Sequence, residues 1–519
     1  MKGNFIKKLG RTLALVLALC MVFAAFVGCG KKEKTFEAST DEVTLKWVMG
    51  GVGKLPDSDA VWAEFNKELQ TLLPNTTVEF EVIPYSEFAE KWNLMAASRE
   101  QVDIVWAGYM LDLKEEVRKG SFMELDALME FAPDVKAEIP EAVIDLDRIG
   151  GKLYAIPCYQ MMTNLPYGAK VQAEQAEKYG LDAEAITAAF KDKEPLTKED
   201  FKVFEEYLEK LKENGELKLG VAKSFLDQIM GYMKGFGQYK TMITSNAMID
   251  VRDPELKVYD SLKSENDMAY YELVNEWFKK GYIRKDILSI TDHMADEGKK
   301  EGYTLWAGSC FKGDSERMTA KYGFPVQTIP AIQRLEIPHR TPTTNTAISK
   351  TSVDPVRSMQ LINLINSKKG AHLYNMLVFG LEGKHYKKVS DTEIEWLLKE
   401  VPGSSSNNEY GYDAWAIGNT FNAYQTQFDT PGWNDYILNE VNEKAEPSPL
   451  IGFSLDPAPI KLEIAQYSAI WKEYLYLDLG ATPNYKELIA ERNEKLKKAG
   501  SDKIVEEVAR QLDEWKKTK

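Results

Sequence analysis

Hydrophobic and polar positions change rhythm several times along the chain, and each change marks a different kind of structure. Leu13–Val27 is almost wholly apolar and follows Lys2, Lys7, Lys8 and Arg11; Phe26-Val27-Gly28-Cys29 closes it. Residues 30–41 (GKKEKTFEASTD) are polar and aperiodic, as a flexible tether is. Strand and helix patterns then alternate. Val43–Met49 and Thr77–Ile83 read as strands, and Trp62, Phe65, Leu69 and Leu72 recur at helical spacing between them. A second helix is predicted through Phe88, Trp92 and Met95, then a short strand at Val102–Trp106. This alternation predicts an α/β unit with a mostly parallel sheet.

Further on, Gly150–Pro157 (GGKLYAIP) breaks the periodicity and predicts a first crossing between two lobes; Ile337–Thr346 (IPHRTPTTNT) predicts the return. Between them Thr197–Asn214 predicts a helix, with Thr197 and Asp200 as a capping box and Asn214-Gly215 as the stop. Pro355 after Asp354 opens another helix. The C-terminal third is rich in aromatics from Tyr410 to Tyr436. It ends in a helical pair whose last member aligns Ile504, Val508, Leu512 and Trp515 on one face.

The first 29 residues have the layout of a secretory signal, and the apolar run is short for a spanning helix, which needs about 20 residues. A small residue directly before Cys29 resembles the lipobox of bacterial lipoproteins, which implies a diacylglyceryl group on Cys29 as the mature N-terminus. Cleavage there still leaves a chain too long for one core, since cores stop growing near ~250–300 residues.

Composition narrows the class of partner. Apolar residues are 44% and charged residues 28%, and the formal charge is −15. Such a surface is repelled by nucleic acid and by anionic headgroups. Of four cysteines, Cys158 and Cys310 fall in the body; they could pair, but two free buried thiols is the plainer reading.

The order lipobox, VTLKWVMGG, VDIVWAG, GGKLYAIP, TPTTNTAIS resembles the family 1 extracellular solute-binding proteins of bacterial ABC importers. The segments GLEGKHY, AWAIGN and FSLDPAPIKLEIAQYSAIWKEY resemble a subgroup of lipoproteins carrying a C-terminal domain of uncharacterised function. The resemblance implies an α/β, two-lobed, periplasmic-binding-protein-like fold (type II), hinge-joined, with a C-terminal mainly helical extension. The expected division is signal 1–28, lipidated tether 29–41, first lobe 42–157, second lobe 158–339, return to the first lobe 340–384 and C-terminal domain 385–519. The implied partners are a saccharide, an ABC permease and the membrane through the lipid; a monomer is expected.

Catalytic patterns are mostly absent. His293, His339, His372 and His385 form no HExxH pair, no G-x-S-x-G elbow occurs, and Gly50–Lys54 lacks the spacing of a phosphate loop. Asp145-Leu146-Asp147 lacks the ligands of a calcium loop and reads as a solvated turn. With 80 acidic residues some carboxylate pair always lies close, and no spacing singles one out. A non-enzymatic binding protein without metal or cofactor is expected, with an oligopeptide receptor or a surface glycosidase as alternatives.

Binding needs aromatic walls and a few aimed polar groups. The candidates are Gly51 and Asp57 after the first strand, Trp106 and Tyr109 after the third, Tyr159 at the junction, Trp306 in the second lobe, Asn345 in the return, and Glu382 and Trp415 in the specific C-terminal segments. Asp57 also reads as a helix cap, Glu382 as a structural residue and His385 as a packing histidine, and Trp106, Trp306 and Trp415 read as core as readily as cleft wall. Tryptophan and tyrosine faces suit the C–H face of a sugar ring, so the expected ligand is a carbohydrate, an oligosaccharide in particular.

Overall fold

The computed structural model describes residues 36–234, 237–264, 266–339, 342–397 and 409–518. Cys29 and the apolar run before it lie outside the described residues.

The first lobe begins with β1 (Val43–Gly51), α1 (Ser58–Leu72), β2 (Thr76–Pro84), α2 (Tyr85–Ser98) and β3 (Ile104–Trp106). β1 pairs in parallel with both β2 and β3. β4 (Ala155–Pro157) closes the far edge of this sheet. The chain then leaves for the second lobe, where β5 (Tyr167–Gln172) carries β9 (Trp306–Ser309) and β10 (Val326–Ile332) as antiparallel neighbours. A second three-stranded sheet there comprises β6 (Lys240–Thr244), β7 (Ala247–Asp250) and β8 (Val258–Asp260), with β7 central. β11 (Asn345–Ile348) returns to the first sheet, antiparallel between β3 and β4, in the order β2-β1-β3-β11-β4. The parallel expectation therefore holds for β1–β3, while the strand arriving from the other lobe enters reversed.

Local signals account for much of this. α1 buries Val61, Phe65 and Leu69 against the sheet. The capping box of Thr197 and Asp200 is formed, ahead of the helix Lys202–Glu213. Each lobe has its own core. One gathers Trp47, Phe65 and Ile104 with α4 (Pro355–Asn366) and α5 (Ala371–Phe379). The other gathers Phe204, Phe225 and Trp277 around α3 (Asn266–Lys280).

The expected boundary before residue 385 is corrected by the packing. Tyr386, Ile394, Tyr410, Tyr412 and Ile417 belong to the first-lobe core. The chain then crosses a third time, where Glu446–Pro447 pairs in parallel with the returning Glu336–Ile337. Beyond it, α6 (Lys461–Glu473), α7 (Tyr485–Lys498) and α8 (Ser501–Lys516) join the second lobe. Tyr474, Leu477, Tyr485 and Ile489 complete that core, and Asn275 Nδ2 donates to the Gly480 and Thr482 carbonyls at 2.8 and 2.7 Å. The C-terminal region is thus two parts, one for each lobe.

Two smaller expectations also change. The last tether residues are held: Phe36 packs on the first core, and Arg357 bonds the Ser39 carbonyl. The Asp145–Asp147 turn is not wholly solvated. Asp147 is fully buried and neither carboxyl oxygen has a hydrogen-bond partner among the described residues, so desolvation holds its pKa well above the usual range. Cys158 and Cys310 are free and buried, with burial raising both thiols to about 11.

Candidate functional site

A cleft of about 660 Å³ opens where the lobes meet. Its first-lobe wall is the segment following β3, Ala107–Lys114; its second-lobe wall is Thr241–Ile243 of β6. Pro338, His339, Pro342 and Asn345 form the floor in the return crossing, and Phe453 and Leu455 reach in from the C-terminal part.

The first-lobe wall is aromatic. Tyr109 is 54% exposed on the cleft side. Behind it stand Trp106, edge-on at 5.6 Å, and Trp415 at 6.1 Å. Tyr85 stacks on Trp415 at 5.6 Å, and its hydroxyl donates to Asp413 at 2.8 Å. Burial, reinforced by the Asp413 charge, raises the Tyr85 pKa and keeps it a donor. Trp106 is buried, and its Nε1–H donates to Thr344 at 2.7 Å. Its ring lies flush on the backbone of Gly50 and Gly108: a Cβ on either would stand 2.4 and 1.8 Å from ring carbons. Those two glycines are what allow the indole to occupy the end of the sheet.

Polar groups are few and aimed. Asn345 Nδ2 donates to the Ala107 and Pro342 carbonyls at 3.1 and 3.0 Å, which fixes the amide. Its Oδ1 is buried beneath the cleft floor and has no partner among the described residues. Lys114 lines the same cleft, half-buried, and desolvation lowers its pKa. The Asp112 carboxylate is occupied by the backbone N–H groups of Lys114 and Glu115, at 3.0 and 3.1 Å.

Of the residues singled out in the sequence, Tyr109 and Asn345 line the cleft, and Trp106 and Trp415 support Tyr109 from behind. The others lie elsewhere. Trp306 is 1% exposed, enclosed with Tyr303, Met318 and Val326 beneath the second-lobe sheet. Tyr159 is buried against Phe421. Gly51 makes room for Val82 and Tyr412. Asp57 pairs with Lys384 at 2.8 Å and His385 at 3.1 Å, far from being a free acceptor, and makes no side-chain cap bond. Glu382 is exposed in the neighbouring turn. His385 packs as expected: buried, it accepts from the Leu381 N–H at 2.9 Å and bonds Asp57 with its other nitrogen. Sequence reasoning missed Lys114, the β6 edge and Phe453. Only Phe453 carried a signal, as part of the specific segment beginning FSLDP.

The fold and this cleft define the class: a two-lobed, type II extracellular solute-binding protein fold, as the sequence resemblance implied. A carbohydrate ABC transporter substrate-binding protein of Streptococcus pneumoniae serotype 4 is 24% identical, with 99% of each chain covered. The crystal structure of the N-glycan transport solute binding protein NgtS from S. pneumoniae matches with a TM-score of 0.69 at 21% identity, covering 91% of this chain and 99% of that one. An extracellular solute-binding protein from Bifidobacterium longum subsp. infantis matches with a TM-score of 0.55 at 14% identity, over 92% and 99% of the two chains. The family described as a domain of unknown function (DUF3502) matches residues 449–517, the part that joins the second lobe.

Proposed function

We propose that this protein is a lipid-anchored substrate-binding protein on the outer face of the cell membrane, which captures an oligosaccharide and presents it to an ABC permease. The observation that carries the reading is the cleft itself. One exposed ring, Tyr109, is braced by three others, and a fixed, unpartnered acceptor at Asn345 lies between two separately folded lobes. An aromatic face takes the C–H side of a sugar ring, and the acceptor takes a hydroxyl. The carbohydrate-binding relative over the whole chain supports the ligand class. Closure on the ligand is what a permease can sense, and a ligand shifts that equilibrium only through unequal affinity for the open and closed forms. No covalent change is involved, and the protein acts as a monomer.

Thermal shift of the mature protein against an oligosaccharide panel and a peptide panel tests the ligand class. A ligand at 100-fold its dissociation constant adds ~2.7 kcal/mol of stability. Shifts with peptides alone overturn the carbohydrate reading, and turnover of any glycan overturns the non-enzymatic one. For the anchor, Cys29→Ser is expected to move the protein from the detergent to the aqueous phase on partitioning; unchanged partitioning removes Cys29 as the lipid site. Two acyl chains are needed because one alone binds a bilayer only marginally.

A further inference from the structure

A second cavity, of about 510 Å³, lies between the β6 edge and α6. It is large enough for a small-molecule ligand. Half of its wall is contributed by the domain of unknown function, through Tyr467, Ser468 and Trp471 of α6 among others. The two rings stack at 5.8 Å with planes 8° apart. The buried Arg492 guanidinium sits 4.4 Å from the Trp471 ring centre and donates to Tyr271 at 2.8 Å, so the indole is held in place. Opposite, Asp267 lines the cavity with a buried Oδ1 that has no partner among the described residues. Burial raises this carboxyl to about 6. Lys234 also faces the cavity, paired with Asp478 at 3.1 Å.

The cavity adjoins the cleft. Met242 lines both, and it is 43% exposed on the β6 edge strand that separates them. A ligand that extends from the cleft past Met242 reaches a cavity lined by Tyr467 and Trp471 and by Asp267, whose Oδ1 has no partner among the described residues. Those are the same elements that build the cleft: rings for an apolar face and a fixed polar atom for a hydroxyl.

We propose that this cavity is an outer subsite for the distal sugar units of an oligosaccharide whose inner units occupy the interlobe cleft, and that the C-terminal domain of unknown function serves to wall it. The inference rests on the carbohydrate reading of the cleft.

The test is calorimetric titration of wild type, Trp471→Ala and Ser468→Trp with short and long members of one glycan type, using Man1GlcNAc with Man5GlcNAc and kestose with fructo-nystose, then the wider panel. Ser468 is exposed, so the added indole fills the cavity without removing any packing and keeps the test valid if Trp471→Ala fails to fold. For a glycan type that wild type binds, both variants are expected to lose at least tenfold in affinity for the long member and less than twofold for the short one. Equal losses on both lengths, unchanged affinity for the long member, or a wild type that does not favour the longer glycan each overturn the subsite. A wild type that binds no member of the panel takes down the carbohydrate reading of the cleft, and the subsite with it.

Discussion

At the scale of single residues, identical side chains play opposite parts depending on what lies above them. Trp106 and Trp306 both sit at strand ends and are both about 1% exposed. Trp106 backs Tyr109 at the cleft, whereas Trp306 is sealed beneath a sheet. Tyr109→Ala is expected to weaken saccharide binding about tenfold, since stacked aromatic contacts are worth about 1 kcal/mol beyond area, with little change in melting temperature because the ring is half in solvent. Trp306→Ala is expected to cost ~3–5 kcal/mol of stability with normal affinity per folded molecule; urea titration beside calorimetry separates the two effects. No one-dimensional pattern distinguishes these residues, because periodicity reports burial and not what the buried face supports. Asp147 is the same lesson in charge. Its folded pKa is raised, so the native state holds a proton the unfolded chain releases, and stability falls as pH rises above the ordinary carboxylate pKa. Asp147→Asn is therefore expected to raise the melting temperature at pH 7 relative to wild type, with the gain shrinking towards pH 4. A constant difference across that range would mean that Asp147 is ionised in the folded protein.

At the scale of elements, the amphipathic repeats were legible and their destinations were not. The α1 stripe and the Thr197–Asp200 capping box lie where spacing predicts, because both depend on neighbours within a few residues. The aromatic segment around Tyr410–Tyr412 and the terminal helices read as one extension, yet they fold onto different lobes. Which core a hydrophobic face joins depends on where the third crossing delivers it, and β-pairing of Glu446–Pro447 with Glu336–Ile337 is a long-range contact. A chain ending at Ser448 loses Tyr474, Leu477, Leu479, Tyr485 and Ile489 from the second-lobe core. At ~1.5–3 kcal/mol per buried side chain, that loss rivals the whole stability of a domain, about 5–15 kcal/mol. The truncated protein is expected to bind a hydrophobic dye and lose one cooperative unfolding transition. A native-like calorimetric profile for it would show that the terminal helices are dispensable to the second lobe.

At the scale of the whole molecule, three crossings run side by side between two cores, and side-chain hydrogen bonds and a small apolar cluster tie them. Asn442 bonds the Gln160 carbonyl at 2.7 Å and the Met162 N–H at 3.0 Å, and Asn164 bonds the Glu336 N–H at 2.7 Å. Such a junction can bend while each core stays intact. Small-angle scattering is expected to show a smaller radius of gyration with a saturating oligosaccharide than without; an unchanged radius at saturation argues against closure. The sequence by itself determined the elements that neighbours dictate: the leading strand–helix–strand run, the capping box and the helix stops. Only the tertiary structure decided which aromatics face the cleft, that β6 and Phe453 complete it, and that the last helices belong to the second lobe. The physical reason is range: propensity and periodicity act over a turn or two of chain, whereas a cleft between lobes is made by residues hundreds of positions apart.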